Sequence, residues 1–349
     1  MLRGTQDEYE QFVAQVRVQI DKRLDAWLGD RVAEARVRGA QVEAVADGVR
    51  QLALRGGKRM RAVLLAAAYE ACGGEGGADA VQAAGMSIEL LQVYLLVHDD
   101  WMDGDATRRG GPSVPAMMRG RFAGPRADAM TVLAGDLAAA WAQRALLEVC
   151  LSADRVVLAA REFAAMQEEV IHGQVLDVAG VARDAREVEA MHALKTASYS
   201  VRGPVVMGAR LAGAAESQVA ALAAFARPLG VAFQLRDDVL GVFGDASAMG
   251  KPSGTDLLAG KRTSLIVDAM REARAREVLA RVHGQPHATG DEVRVAVASI
   301  EACGARARIE ERIAALVGES CAALERVTLT PAGRALLSGS VNALTQRSA

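Results

Sequence analysis

Residues 97–110 read VHDDWMDGDATRRG, with Asp99, Asp100, Asp103 and Asp105 crowded together and Arg108 and Arg109 just after them. Carboxylates this close repel one another unless something positive is shared between them. On a helix, Asp99 and Asp103 fall on one face, roughly 6 Å apart along the axis. Magnesium takes oxygen ligands at about 2.1 Å, usually only one or two of them carboxylates, and fills its shell with water and phosphate oxygens. The spacing therefore suits Mg²⁺ bridging to a diphosphate. Asp100 points about 100° round the helix and suits a supporting role behind the ligands. The alternative is a solvated acidic helix end, which the helix dipole disfavours at a C-terminus.

A second array stands at 234–238, QLRDD, where Gln234 and Asp238 are four residues apart beside Asp237. Lys251, Asp256 and Lys261 follow it in a glycine-rich stretch. GGKRMR at 56–61 sets Lys58, Arg59 and Arg61 directly after two glycines. Exposed amides at a helix start, together with guanidinium forks, make a diphosphate anchor. Arg108 and Arg109 offer a similar fork. Each basic cluster alone could be plain solvated surface. Together, the carboxylate arrays and basic clusters describe a site for two diphosphates, one held through metal and the other by direct basic contacts.

The elements that must position these residues read as helical throughout. Alanine, leucine, glutamate and arginine dominate, aromatics are 4%, and no run of alternating β-branched residues appears. The pattern predicts helices over 6–28, 32–54, 57–72, 78–103, 127–150, 154–179, 186–212, 217–243, 262–281, 290–318 and 331–345. Long polar loops are expected from 109 and from 244, and Thr330 before Pro331 reads as a helix cap. With no repeat and no low-complexity linker, residues 1–349 are expected to form one all-α domain.

The chain has 349 residues, 51% hydrophobic and 24% charged, with a formal net charge of −2. That supports a large core and gives no electrostatic reason to expect nucleic acid or an anionic membrane as partner. Cys72, Cys150, Cys303 and Cys321 form no C-x-x-C pair and read as reduced thiols of a cytoplasmic protein. The apolar stretch 81–98 is interrupted by Gln82, Glu89, Gln92 and His98, so it reads as a buried core helix rather than a membrane span.

Seven motifs in order carry a resemblance to the all-trans isoprenyl diphosphate synthases, of the short-chain farnesyl and geranylgeranyl type. They are GGKRMR (56–61), ELLQVYLLVHDDWMDGDATRRG (89–110), LAGD (133–136), GQVLD (173–177), KTASY (195–199), FQLRDDVLGVFGD (233–245) and GKPSGTDLLAGKRTSL (250–265). The resemblance implies a bundle of mostly antiparallel helices around a deep cavity, with the two aspartate motifs facing across its mouth, in a homodimer. It implies Mg²⁺, about three ions per site, held by Asp99, Asp103 and Asp237. Arg108, Lys195, Lys251 and Lys261 would contact the allylic diphosphate. Lys58, Arg61, Gln92 and Arg109 would bind isopentenyl diphosphate. Gln92 stands where many bacterial relatives carry histidine, and the eukaryotic-type farnesyl enzymes also use glutamine. Lys195, Thr196 and Gln234 would lie close to the reacting carbons, with Asp100, Gln174, Asp177 and Asp238 as supporting partners.

Product length is expected to be set beneath the first motif by Tyr94, Leu95 and, one turn further, Leu91, favouring fifteen to twenty carbons. His98 reads as a packing or hydrogen-bonding residue rather than a base. One departure stands out: the second motif ends in Gly241 instead of aspartate. Activity is expected to survive, since Asp237 is the implied ligand, with a changed need for Mg²⁺. Two rivals remain: a poorly active or regulatory subunit, and a class I terpene cyclase, which Gly241 and Asp245 disfavour.

Overall fold

Val16, Ile20, Leu24 and Leu28 recur every fourth residue, so one side of a helix carries them all into the interior. They line the first and longest element of a computed structural model that describes residues 2–182, 184–244 and 254–346, with side chains from Asp7 onward. The helices are α1 (Leu2–Arg38), α2 (Ala40–Leu54), α3 (Met60–Ala71), α4 (Ala78–Asp103), α5 (Val114–Arg121), α6 (Pro125–Leu147), α7 (Ala153–Val178), α8 (Ala185–His192), α9 (Gly203–Ala212) and α10 (Glu216–Phe243). After them come α11 (Thr255–Leu258), α12 (Ser264–Ala269), α13 (Ala273–Leu279), α14 (Gly290–Ala302), α15 (Ala305–Glu325) and α16 (Pro331–Thr345). A π-helical segment, Ala193–Arg202, joins α8 to α9, and a two-stranded hairpin, β1 (Thr107–Arg108) and β2 (Gly111–Pro112), follows α4. The chain is all-α, as its composition requires.

The chain divides into two compact units. The first comprises Met1–Glu162, Pro204–Ala214 and Leu329–Leu337. Here α4 packs against α1, α3 and α6. The second comprises Phe163–Gly203, Ala215–Thr328 and Ser338–Ala349. Its core collects Leu235, Val239, Leu265, Ile266, Ile300, Ile313 and neighbours around α10, α12, α14 and α15.

Several elements depart from the sequence expectation, each for a local reason. The break expected near residue 30 is absent, because the buried stripe continues through Gly29 to Ala35 and outweighs the roughly 1 kcal/mol cost of a mid-helix glycine. The stretch 290–318 is instead broken at Cys303–Gly304, where Gly304 takes φ 75. The run 262–281 splits into α12 and α13. The loop expected from 109 contains α5, started by Ser113, whose hydroxyl accepts from the Ala116 amide at 3.3 Å. Thr330 caps α16 as its type suggests, its hydroxyl accepting from the Gly333 amide at 3.1 Å.

Candidate active site

In the first unit, α4 ends on the aspartate motif and stops at Gly104, whose φ of 71 lets its amide reach back to the Asp100 carbonyl. Asp99 is half-buried, Asp103 exposed and Asp100 fully buried. The hairpin swings Arg108 back over the helix end. Its Nε donates to Asp100 Oδ1 at 2.6 Å and its Nη2 to Asp105 Oδ2 at 2.8 Å, with Asp99 Oδ2 3.8 Å away. Burial drives the Asp100 carboxyl up to about 6, and Arg108 opposes that shift. Asp105 thus helps to aim Arg108, and Ser113 Oγ ties down its carbonyl at 2.6 Å.

Arg109 leaves the hairpin at φ 52 and donates from Nη1 to the Gly56 carbonyl at 3.0 Å. Arg55 clasps the hairpin, donating to the carbonyls of Pro112 and Arg108. Arg109 is thereby set against the loop bearing Lys58 and the start of α3 bearing Arg61. Burial lowers its pKa first, and Arg59, Arg61 and Arg108 lower it further, against Glu89.

Arg59 belongs to a different structure from the diphosphate anchor its neighbours suggested. It is 3% exposed and donates to Asp21 Oδ1 (2.8 Å), Glu89 Oε2 (2.9 Å) and the Ala53 carbonyl (2.8 Å), so it fastens α1, α2 and α4 behind the loop. Gln92 shares the Asp99 face of α4, as do Leu95 and, more obliquely, Leu91; Leu91 is buried and Leu95 half-buried. Tyr94 lies roughly 140° round the helix from Asp99 and stacks edge-on against His98, ring centres 5.0 Å apart. His98 Nε2 is 3.1 Å from the Val132 carbonyl of α6. Gly135 of LAGD makes room for it: a Cβ there would sit 2.1 Å from His98 Nε2.

In the second unit the two lysine- and glycine-bearing motifs meet. A Cβ on Gly173 would lie 2.3 Å from the Lys195 amide nitrogen, so only glycine lets α7 lie against the π-helical segment. Lys195 Nζ donates to Asp177 Oδ2 at 2.5 Å. Thr196 and Gln174 are half-buried beside them in sequence. A π turn at a lysine–threonine pair re-aims side chains that a regular α-helix would send elsewhere. On α10, Asp237 is half-buried. Asp238 is 2% exposed; Gln234 Nε2 donates to its Oδ1 at 2.8 Å, while its Oδ2 has no hydrogen-bond partner among the described residues and lies 3.6 Å from His192 Nδ1. Burial drives Asp238 up to about 7 and His192 down to about 4. Lys261 is exposed, its Nζ 3.7 Å from Asp256 Oδ1. Lys251 lies outside the described residues.

In the first unit Asp99 and Asp103 offer oxygen alone on one helix face, which fits a hard divalent cation, and beside them Asp100 keeps a buried Oδ2 without a hydrogen-bond partner among the described residues. Among the described residues no cluster of three or more His, Cys, Asp or Glu forms a metal cage.

The pattern of the family described as Polyprenyl synthetase matches residues 42–300. The chain belongs to that family. It is 33% identical to the short chain isoprenyl diphosphate synthase of Methanothermobacter thermautotrophicus, over 80% of this chain and 79% of the relative. It is 35% identical to the geranylgeranyl diphosphate synthase of Mycobacterium tuberculosis, over 74% of this chain and 75% of the relative. Its fold matches the crystal structure of the geranylgeranyl pyrophosphate synthase from Corynebacterium glutamicum complexed with isoprenyl diphosphate and magnesium. That match has a TM-score of 0.86 at 32% identity and covers 97% of this chain and 99% of the other. Like its relatives, this polyprenyl synthetase is a prenyltransferase of the short-chain all-trans type.

Sequence reasoning gave no role to two residues that shape these sites, Asp105 and Gly173. Asp105 was legible as the i, i+3 partner of Arg108. Nothing local marked Gly173, whose neighbour Lys195 is distant in the chain.

Proposed function

We propose that the chain joins isopentenyl diphosphate head to tail to an allylic diphosphate (dimethylallyl, geranyl or farnesyl), giving farnesyl or geranylgeranyl diphosphate and pyrophosphate. Arg109 carries the reading. Arg59 is neutralised by Asp21 and Glu89, and Arg108 by Asp100 and Asp105. Arg109 is half-buried beside both, with Glu89 near enough to act on its charge, yet its hydrogen bond among the described residues goes only to the neutral Gly56 carbonyl. A guanidinium withdrawn from water among other guanidiniums is stabilised when an anion arrives, and a planar fork suits a diphosphate.

In this reading Lys58, Arg61, Gln92 and Arg109 hold isopentenyl diphosphate. Arg108, Lys195, Lys251 and Lys261 would contact the allylic diphosphate, and Asp99, Asp103 and Asp237 would hold about three magnesium ions. Bound magnesium would neutralise charge on the allylic diphosphate. The basic side chains favour departure of pyrophosphate, because its negative charge grows as the allylic C1–O bond breaks. The isopentenyl double bond supplies the electron pair for the new C4–C1 bond. The proton then lost from C2 goes to a pyrophosphate oxygen. Asp177 holds Lys195 in place, and the dipoles of Thr196 and Gln234 stabilise the transient cation. Leu91, Tyr94 and Leu95 limit chain growth. A homodimer in the cytoplasm completes the reading.

The test incubates the purified chain alone with Mg²⁺, each allylic diphosphate and labelled isopentenyl diphosphate, followed by chromatography. A longer linear diphosphate is expected. A cyclic hydrocarbon would identify a cyclase, and no turnover a non-catalytic subunit.

A further inference from the structure

Lys261 stands in the turn between α11 and α12 with its side chain 58% exposed, yet the turn itself is tied down at several points. The Lys261 amide donates to the Asp256 carbonyl at 3.0 Å, and the Gly260 amide donates to the Leu257 carbonyl at 3.1 Å. Gly260 takes φ 69, a left-handed conformation that lets the chain reverse just before the lysine. These bonds shape the turn from within. They do not fix where it stands.

The fixing contacts come from where α13 ends. Leu279 and Val282 are buried there, in the same core cluster as Leu257. The two residues that follow grip the turn from outside. The Gly284 amide donates to the Leu257 carbonyl at 2.9 Å. His283 Nε2 lies 3.2 Å from the Lys261 carbonyl. A carbonyl only accepts, so Nε2 carries the proton and donates. The His283 amide in turn donates to the Leu279 carbonyl at 2.8 Å, which anchors the imidazole to the buried end of α13.

A second observation is independent of these bonds. A Cβ built on Gly260 would lie 3.0 Å from the Gly284 Cα, so the two chain segments cross in backbone contact. A side chain at 260 would push them apart and pull His283 away from its acceptor. The lysine's own ion pair cannot replace this support. Lys261 Nζ is 3.7 Å from Asp256 Oδ1, and an exposed pair at that distance contributes little. The backbone therefore governs where the ammonium stands.

We propose that His283 is a positioning residue for prenyl transfer: its imidazole holds the Lys261 carbonyl, with the Gly260–Gly284 crossing as pivot, and so presents the Lys261 ammonium to the allylic diphosphate. The inference rests on the reading that gives Lys261 to that diphosphate. Its test is separate, because it reads binding of inorganic pyrophosphate without turnover.

The experiment titrates inorganic pyrophosphate into the full chain with Mg²⁺ by calorimetry, with the ligand-free thermal midpoint as control for folding. His283→Ala is expected to weaken pyrophosphate binding by about three- to tenfold, the scale of one hydrogen bond. His283→Gln keeps an N–H that can donate and is expected to return to within about twofold of the parent. In the Lys261→Ala background, adding His283→Ala is expected to cost less than about twofold more, because the residue acts through the lysine. Packing damage would instead multiply with the loss of Lys261, so the double variant decides the matter even where His283→Ala lowers the ligand-free midpoint. In steady-state assays the KM for the allylic diphosphate should rise with the loss of pyrophosphate binding, while that for isopentenyl diphosphate stays within about twofold. Unchanged pyrophosphate binding by His283→Ala overturns the proposal. So does a full further loss in the double variant, or an equal rise in both KM values. A chain that shows the coupling but forms no prenyl product would leave this inference standing and remove the functional reading.

Discussion

The first and second aspartate motifs contain the same adjacent pair, Asp99–Asp100 and Asp237–Asp238, yet the fold treats them differently. In both, the leading aspartate stays half-open and the second is buried. Asp100 meets the Arg108 guanidinium at 2.6 Å, delivered by a hairpin that exists to bring it back. Asp238 meets the neutral amide of Gln234 at 2.8 Å, the backbone of Ser264 and an imidazole kept uncharged by burial, with the Lys261 charge acting on it without a direct contact. The carboxyl of Asp238 is accordingly pushed higher, to about 7 against about 6. Burial is the largest cause of both shifts, opposed by Arg108 at Asp100 and by Gln234, Ser264 and Lys261 at Asp238. The first motif thus carries a guanidinium in direct contact and the second relies on neutral donors and a more distant lysine, while each buried carboxylate keeps an Oδ2 without a hydrogen-bond partner among the described residues.

The largest effect should come from the leading aspartates. Asp99→Ala and Asp237→Ala are each expected to lower kcat by about 10²- to 10³-fold, the scale of losing one charge-stabilising group. Steady-state turnover at saturating Mg²⁺ measures this. If Asp237→Ala turned over normally, the two motifs would not share the work.

Removing the compensating partner separates the motifs next. Arg108→Ala leaves Asp100 buried and unpaired and should cost about 3 kcal/mol of folding stability. Gln234→Leu removes one neutral hydrogen bond and should cost about 1 kcal/mol. Denaturant midpoints at pH 7 give both values, and equal losses would erase the contrast drawn above.

The pH dependence of the second motif provides a third test. His192 titrates near 4 in the fold and near 6.5 unfolded, so its contribution is intact above 6.5 and is lost as pH falls towards 4. Asp238 runs the other way: its folded pKa of about 7 exceeds its ordinary 3.8, so its contribution weakens as pH rises through that window. The two oppose each other in the parent. Asp238→Asn should therefore lose stability on acidification from 6.5 to 4, and His192→Gln should gain it. Thermal midpoints across that range that moved the same way in both variants would contradict the pairing.

Smaller effects are expected beneath and beside the first motif. Tyr94→Ala should shift the product distribution towards longer chains by about one isoprene unit, which is roughly one turn of α4. An unchanged distribution would assign the gauge to Leu91 and Leu95 alone. Asp105→Asn should weaken only a half-exposed contact to Arg108, by less than about 1 kcal/mol.

Much of this was legible in the sequence, for reasons that differ by element. The bounds of α4, 78–103, follow from apolar periodicity closed by glycines, because helix ends are local events. The aspartates, the lysine–threonine pair and the basic loop announced their chemistry by type and spacing. The hidden α5 was signalled by Ser113 with proline two residues on, a cap lost within a stretch of loop-like glycines and prolines. Arg59 misled, because a buried structural arginine and an anion-binding one look alike until their partners are known.

The sequence by itself determined the helical class, the ordered motifs and the residue types that can hold metal and diphosphate, since all of these depend on neighbours along the chain. The tertiary structure alone decided which arginine is spent on Asp21 and Glu89 and which stays available, why Gly173 must face Lys195, and how His283 comes to hold the carbonyl of Lys261. Burial and partner identity settle those questions, and both are set by residues far apart in sequence that packing brings within a few ångströms.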